Sequence, residues 1–259
     1  MSESRKTAWV LTGDGINCEV ETAEACRRAG FETTVFHLSE LIAEPRPLDG
    51  CSLLALPGGF SFGDELGSGR VLALKLRYQL GWDLPAFARN GGLVLGICNG
   101  FQTLVALGVF GEGVALAANT DGRFRNEWTR LEVEAAAKKD SPFLKGIEGL
   151  ELPIRHGEGR LLFADESARS ASAAALRYAK TPNGSTDGIA GLVDGTGRIF
   201  GLMPHPEAFS RASQHPGFFK LASESELDPL DPGEGLRLFE NAFRSARPIS
   251  TPPSPKETR

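Results

Sequence analysis

The sequence predicts an α/β protein built on a parallel, doubly wound sheet, and three observations carry that expectation. Short apolar strands alternate with helical patterns from Thr7 to Leu107. Gly58, Gly59 and Cys98 fall where apolar strands end, and open α/β sheets place their sites at the carboxyl ends of strands. A chain of 259 residues is long enough for one large core.

Taken in order, Thr7 to Thr12 reads as a buried first strand, broken by Gly13-Asp14-Gly15. Asn17 is expected to cap a helix whose residues Val20, Ala23, Cys26 and Ala29 recur at helical spacing, with Gly30 as its stop. Thr33 to Phe36 is a β-branched second strand. Leu53 to Leu56 is a third, ending in Pro57-Gly58-Gly59. A helix is expected over roughly Arg70 to Leu80 and a short one after Pro85. The strand Leu93 to Ile97 then runs into Cys98, and Phe101, Leu104, Val105 and Leu107 follow at helical spacing.

After Phe110 the character changes. Thr129 to Glu134 alternates and reads as antiparallel, and Leu152 to His156 is another extended piece. Ile189 to Val193 and Arg198 to Met203 flank Asp194-Gly195-Thr196-Gly197, a strong hairpin signal. A last helix spans roughly Gly235 to Ser245. The expected organisation is one domain over 6–246 and a disordered tail over 247–259, rich in Pro, Ser and Thr. His37 and His215 lack any partner pattern and are read as surface residues.

A net charge of −5 gives no general attraction to nucleic acid or anionic membrane. No apolar run approaches the roughly 18 residues of a membrane span. Cys18, Cys26, Cys51 and Cys98 show no paired spacing beside histidines, so no metal site is expected and the thiols read as reduced, in a cytoplasmic protein.

The chemistry is concentrated at Cys98. Gly96 and Gly100 frame it at Gly-x-nucleophile-x-Gly spacing, which holds a nucleophile on a strained turn while strand and helix pack closely around it. The start of a helix also favours negative charge. A nucleophilic cysteine needs a base, an orienting group and an oxyanion hole. His205, after the last strand, is the candidate base. Glu207 stands two residues on, on the same side of an extended segment, and Pro206 favours that extension. The N–H groups of Gly59 and Asn99 are the candidate oxyanion donors, each worth about 3 kcal/mol in a transition state. Taken alone, each residue has an ordinary explanation: a buried cysteine is a small hydrophobe, and Pro-Gly-Gly marks any loop. The combination at strand ends is far more specific.

Gly96-Ile97-Cys98-Asn99-Gly100-Phe101-Gln102 together with Pro204-His205-Pro206-Glu207 resembles the class I (triad) glutamine amidotransferases. Asn99 and Phe101 make it similar, within them, to the glutaminase component of phosphoribosylformylglycinamidine synthase. Asn17-Cys18, Pro57 to Asp64, Asn119, Arg123-Phe124, Trp128, His156 to Arg160 and Pro182 to Ser185 extend the resemblance over nearly the whole chain.

The resemblance implies a flavodoxin-like, mainly parallel sheet with helices on both faces and a small antiparallel extension. It implies that Cys98 forms a γ-glutamyl thioester, that His205 moves the protons, and that Glu207 orients His205. Gln102, Gly58 and His156 are the candidate glutamine-binding residues; for Gln102 a helix-packing or capping role is the equal alternative, for His156 a place at the partner interface or a purely structural role, and Cys18 is read as a structural or site-wall residue. Ammonia would pass to a synthetase subunit, with or without a small accessory subunit, and that partner would use ATP and Mg2+; this chain has no Gly-x-x-x-x-Gly-Lys-Ser/Thr loop of its own.

Three departures bear on the partner. Ala208 stands where an arginine is frequent. Glu65 to Arg70 looks more like the large single-chain synthase, and the stretch from Phe209 to Asp231 is long. A glutaminase serving another acceptor is the nearest rival; those enzymes usually carry leucine and histidine at the positions of Asn99 and Phe101. Cysteine peptidases of related fold normally have a base beside the cysteine, where this chain has Asn99. A scaffold without activity is disfavoured because all three candidate triad residues are present.

Overall fold

The structure is a computed structural model and describes residues 5–249. Residues 250–259, most of the expected disordered tail, lie outside the described residues. Within the described part of that stretch, Ile249 bridges Arg5 in antiparallel fashion and Arg247 donates to the Asn90 carbonyl.

Eleven strands are described. They are β1 (Thr7–Thr12), β2 (Glu32–His37), β3 (Leu53–Leu56), β4 (Leu93–Ile97), β5 (Val114–Ala117), β6 (Arg125–Val133), β7 (Gly149–His156), β8 (Arg160–Phe163), β9 (Ala173–Tyr178), β10 (Ile189–Val193) and β11 (Ile199–Leu202). Nine form one sheet in the order β2-β1-β3-β4-β11-β10-β9-β6-β7. The pairs from β2 to β11 are parallel, in flavodoxin-like order, and those from β11 to β7 are antiparallel. The extension therefore carries four strands; β5 and β8 form a separate antiparallel pair.

Burial follows position. β3, β4, β10 and β11 are buried along their whole length, as central strands covered on both faces must be, while β2 at the edge is mostly half-exposed. Each Leu fully removed from water there contributes about 2 kcal/mol. The α-helices described are α1 (Glu19–Ala29), α2 (Leu38–Ala43), α3 (Arg70–Lys75), α4 (Leu84–Arg89), α5 (Asn99–Ala106), α6 (Ala135–Asp140), α7 (Glu166–Ala171), α8 (Phe218–Glu224) and α9 (Leu236–Ser245). Helix α1 packs on β1, β2 and α9; Phe31 and Phe243 meet edge to face with ring centres 5.1 Å apart. The helix α5 (Asn99–Ala106) lies on β3, β4 and β11. Among the described residues, no helix is long and apolar enough to cross a membrane.

Three local expectations are corrected. Asn17 does not cap α1: Cys18 occupies the cap position, and Asn17 Oδ1 accepts from the Cys18 thiol. What holds this turn is the carbonyl of Gly58, which accepts from the N–H groups of both Asn17 and Cys18. The helix expected over 70–80 is regular only through Lys75 and continues as a wider π-helical turn from Leu76 to Leu80. His215 is not a surface side chain; it packs against the rings of Trp128 and Phe209, 4.8 and 5.5 Å between centres. The hairpin forms as expected, with Asp194 Oδ1 accepting from the N–H groups of Arg198 and Ile199.

Candidate active site

Strand β4 delivers Cys98 at its end, where the backbone turns to φ 50°, ψ −102° before α5 begins. That region is costly for any residue with a Cβ, so its neighbours must fix it. They do: the Cys98 N–H donates to Leu202 O at 2.8 Å, tying the turn to the end of β11. The flanking glycines are required by packing. A Cβ on Gly100 would lie 1.9 Å from Leu56 O, and one on Gly96 2.5 Å from Leu104 Cδ1.

The parallel pairing of β4 with β11 explains how residues so far apart in sequence meet. Ile97 and Leu202 are in register, so the segments leaving both strands emerge side by side. His205 follows β11 and its N–H donates to Pro153 O at 2.8 Å. Its Nδ1 lies 2.6 Å from Glu207 Oε1, with both side chains buried. The extended geometry expected for this segment stops at His205. Pro206 opens a short 3₁₀ turn through Phe209, and Glu207 reaches the ring from inside that turn.

The Nδ1 bond makes that nitrogen the donor and leaves Nε2 as the reactive position; Nε2 is buried and has no partner among the described residues. Burial works against a charged His205, but the charges of Glu207 and of Cys98, with the Cys18 thiol beside Nδ1, outweigh it. The ring is held well above its ordinary value. The Cys98 thiol itself donates to Arg155 O at 3.6 Å.

A cleft of about 180 Å³ opens over Cys98, walled by Gly59, Phe60, Gln102, Arg155, His156 and Glu158 among others. Larger depressions exist, such as one of about 540 Å³ between Arg46, Trp82 and Arg247. No cysteine or histidine lines that depression, whereas Cys98 stands in the wall of the smaller cleft and places the candidate site there; His205 is not itself one of the cleft's lining residues.

The remaining expected residues fall into place unevenly. Gly59 (φ 149°) lies against Gly15 and Ile16, where a Cβ would meet Gly15 O at 2.6 Å, and its N–H has no backbone partner among the described residues. Gln102 lines the cleft with its amide pinned: Nε2 donates to Glu158 O at 2.6 Å and Oε1 accepts from Asn99 Nδ2 at 3.0 Å. Gly58 does not line the cleft. It packs behind His205, where a Cβ would come within 2.7 Å of Cε1. Cys18 sits on that same wall, its Sγ 4.0 Å from His205 Nδ1.

His156 is buried at the end of β7. Asn119 Nδ2 donates to Arg123 O and His156 O, so Asn119 Oδ1 must be the acceptor for His156 Nδ1 at 3.1 Å. Burial, then the neighbouring His205, push its pKa down to about 4. The Pro182 to Ser185 motif clamps the loop after it: Asn183 Nδ2 and Ser185 Oγ both donate to Gly159 O.

Two acidic residues complete the rim and were quoted above only as parts of motifs. Asp64 accepts from Asn99 Nδ2 and stands near Glu158; burial, with Glu158 adding to it, raises the Asp64 carboxyl. Ser68 N–H donates to Glu158 Oε2 at 3.4 Å. The signal that could have singled them out is their place in glycine-rich segments at the ends of β3 and β7.

Comparison with known proteins gives a consistent result. The family model described as CobB/CobQ-like glutamine amidotransferase domain matches residues 5–244. Phosphoribosylformylglycinamidine synthase subunit PurQ of Dehalococcoides mccartyi is 40% identical over 95% of this chain and 100% of its own length. The subunit of the same name from Thermotoga maritima is 38% identical over 77% of this chain and 86% of its own. In the solved structure of PurLQS from Thermotoga maritima, one chain superposes with a TM-score of 0.73 at 33% identity, covering 93% of this chain and 98% of that one. A glutamine amidotransferase from Methylobacillus flagellatus, at 16% identity and a TM-score of 0.55 over 95% of this chain and 97% of its own, shares the fold. On the strength of a match that runs from end to end, this chain belongs to the class I glutamine amidotransferases, in the family of phosphoribosylformylglycinamidine synthase subunit PurQ.

Proposed function

We propose that this chain is the glutaminase subunit of phosphoribosylformylglycinamidine synthase, with Cys98 as nucleophile, His205 as acid–base and Glu207 as the group that orients it. The observation that carries the assignment is the buried His205–Glu207 pair, 2.6 Å apart, beside a cysteine on a strained turn at the end of β4. Cys98 Sγ attacks the side-chain carbonyl carbon of glutamine, and its proton passes through His205 Nε2 to the departing ammonia. The C–N bond breaks and a γ-glutamyl thioester remains. Water, deprotonated by the same Nε2, then attacks the thioester; glutamate leaves and the thiol recovers its proton. The oxyanion of each step points at the N–H groups of Gly59 and Asn99, while Gln102 and His156 line the glutamine.

Ammonia goes to the partner synthetase, which converts formylglycinamide ribonucleotide to the amidine in purine biosynthesis. ATP and Mg2+ act in that partner, and the PurLQS relative supplies the precedent for an assembly that includes a small third subunit. The Glu65 to Arg70 stretch, which resembles the single-chain synthase, does not decide the matter: relatives matched over their full length are separate subunits. The setting we assign is the cytoplasm, in keeping with four free cysteines.

The test is a glutamine-directed alkylating analogue applied to the complex. It should label Cys98, block glutaminase turnover and be excluded by glutamine; labelling confined to Cys18 overturns the assignment.

A further inference from the structure

The reaction gives Cys18 no task, yet the fold aims its thiol at the same imidazole that serves Cys98. Cys18 Sγ lies 4.0 Å from His205 Nδ1, and Nδ1 lies 2.6 Å from Glu207 Oε1. The three donor atoms all fall within 4.8 Å of one another. We propose that Cys18, His205 and Glu207 form an inhibitory site for a thiolate-seeking divalent cation, Zn2+ in the first instance.

The donor set suits that ion. Thiolate plus imidazole selects zinc over the oxygen-preferring Mg2+ and Ca2+. In a tetrahedral zinc site, bonds of about 2.3 Å to sulfur and about 2.0 Å to nitrogen put these two atoms about 3.5 Å apart, and nitrogen and carboxylate oxygen about 3.3 Å apart. The observed separations straddle these values, so small side-chain rotations bring all three donors to one point.

Two further observations point the same way. Glu207 is buried, and its second oxygen, Oε2, has no partner among the described residues, an unusual condition for a carboxylate. Gly58 has no side chain to fill the space between the two donors; a Cβ there would lie 2.7 Å from His205 Cε1 and 3.2 Å from Cys18 Sγ. Cys18 is half-exposed while His205 and Glu207 are buried, so the cation reaches the thiol first and the inner pair second.

Occupancy and turnover exclude each other. The cation takes Nδ1, the proton that Glu207 holds there passes by way of solvent to Nε2, and Cys18 releases its thiol proton to solvent as it binds. The ring then carries its only proton on Nε2. It cannot accept another from Cys98 or from water, so both halves of the reaction stop. This consequence rests on the proposed role of His205; the binding itself does not.

The experiment separates the two. Zn2+ titrated into the assembled enzyme should abolish glutaminase turnover, and a chelator should restore it. Measured against its own metal-free turnover, Cys18→Ala should need about tenfold or more Zn2+ for the same inhibition, the order lost when a metal site's supporting group is removed. Co2+ bound to Cys98→Ala protein should still show thiolate-to-metal charge transfer, and the band should vanish in the Cys18→Ala/Cys98→Ala protein. Equal Zn2+ sensitivity with and without Cys18, or a cobalt band that depends on Cys98 and not on Cys18, overturns the site. Metal-free turnover by Cys98→Ala would instead overturn the catalytic assignment and leave the cobalt result standing.

Discussion

Asn99 Nδ2 donates to Asp64 Oδ1 across 3.3 Å, joining the first residue of α5 to the far side of the loop that carries Gly59. The same carboxamide donates to Gln102 Oε1 at 3.0 Å and accepts from the Ser61 N–H at 3.3 Å. One side chain therefore sets the loop holding one candidate oxyanion donor relative to the helix holding the other. The loop needs such a tether, because Phe62 and Asp64 both sit at positive φ, near 53° and 54°.

Asn99→Leu keeps the volume and removes the bonds. The Ser61 N–H and Gln102 Oε1 are then buried without partners, at about 1–3 kcal/mol for each group. The expected outcome is a lower denaturant midpoint together with a glutamine kcat reduced by about a hundredfold, the scale of one lost oxyanion donor. If stability falls and kcat does not, the carboxamide braces the fold without setting the loop.

Gly58 and Gly100 separate site from scaffold. A Cβ on Gly58 meets His205 Cε1 at 2.7 Å, whereas one on Gly100 meets the Leu56 carbonyl oxygen at 1.9 Å. Gly58→Ala should shift the imidazole and cut turnover in a protein that still folds, with circular dichroism unchanged. Gly100→Ala cannot be relieved by a side-chain rotation and should give little soluble protein. An active Gly58→Ala enzyme would show that His205 tolerates displacement and is not the base.

The His205–Glu207 pair makes stability depend on pH in a stated direction. His205 is held above its ordinary value, so the stability the pair contributes is complete below about pH 6.5 and fades as pH rises through the raised pKa. Glu207→Gln removes the largest of the influences that raise it and leaves the burial. Urea unfolding across a pH series should therefore show the largest wild-type advantage on the acid side of that window, shrinking toward alkaline pH. A gap independent of pH would mean the pair acts through packing alone.

What the sequence could and could not show has a physical pattern. The placement of Cys98, His205 and Gly59 close to strand ends is legible in the sequence because strand ends are marked locally by apolar runs stopping at Gly or Pro, and a parallel sheet puts those ends together. The Asn17 cap does not form because capping preference is local, while the competitor for that turn, the Gly58 carbonyl, comes from the loop after β3. His215 was misread for the same reason: Trp128 and Phe209, which cover it, are assembled by β6 and the turn after β11. The Asn99–Asp64 bond needed the loop's left-handed residues, and neither Phe62 nor Asp64 announces that conformation.

His156 carries the opposite pH signature from His205. Burial and the neighbouring His205 lower its pKa to about 4, so the folded protein keeps it neutral where the unfolded chain, near 6.5, takes up a proton. Stability linked to His156 is present above about pH 6.5 and is lost as pH falls toward about 4, by about 3 kcal/mol in all. His156→Gln keeps a donor for Asn119 Oδ1 and removes the titration. The stability difference between wild type and this variant, read by urea unfolding from neutral pH down to about pH 4, should move in the variant's favour by that amount. A difference that stays flat would mean the native cleft accommodates a charged His156.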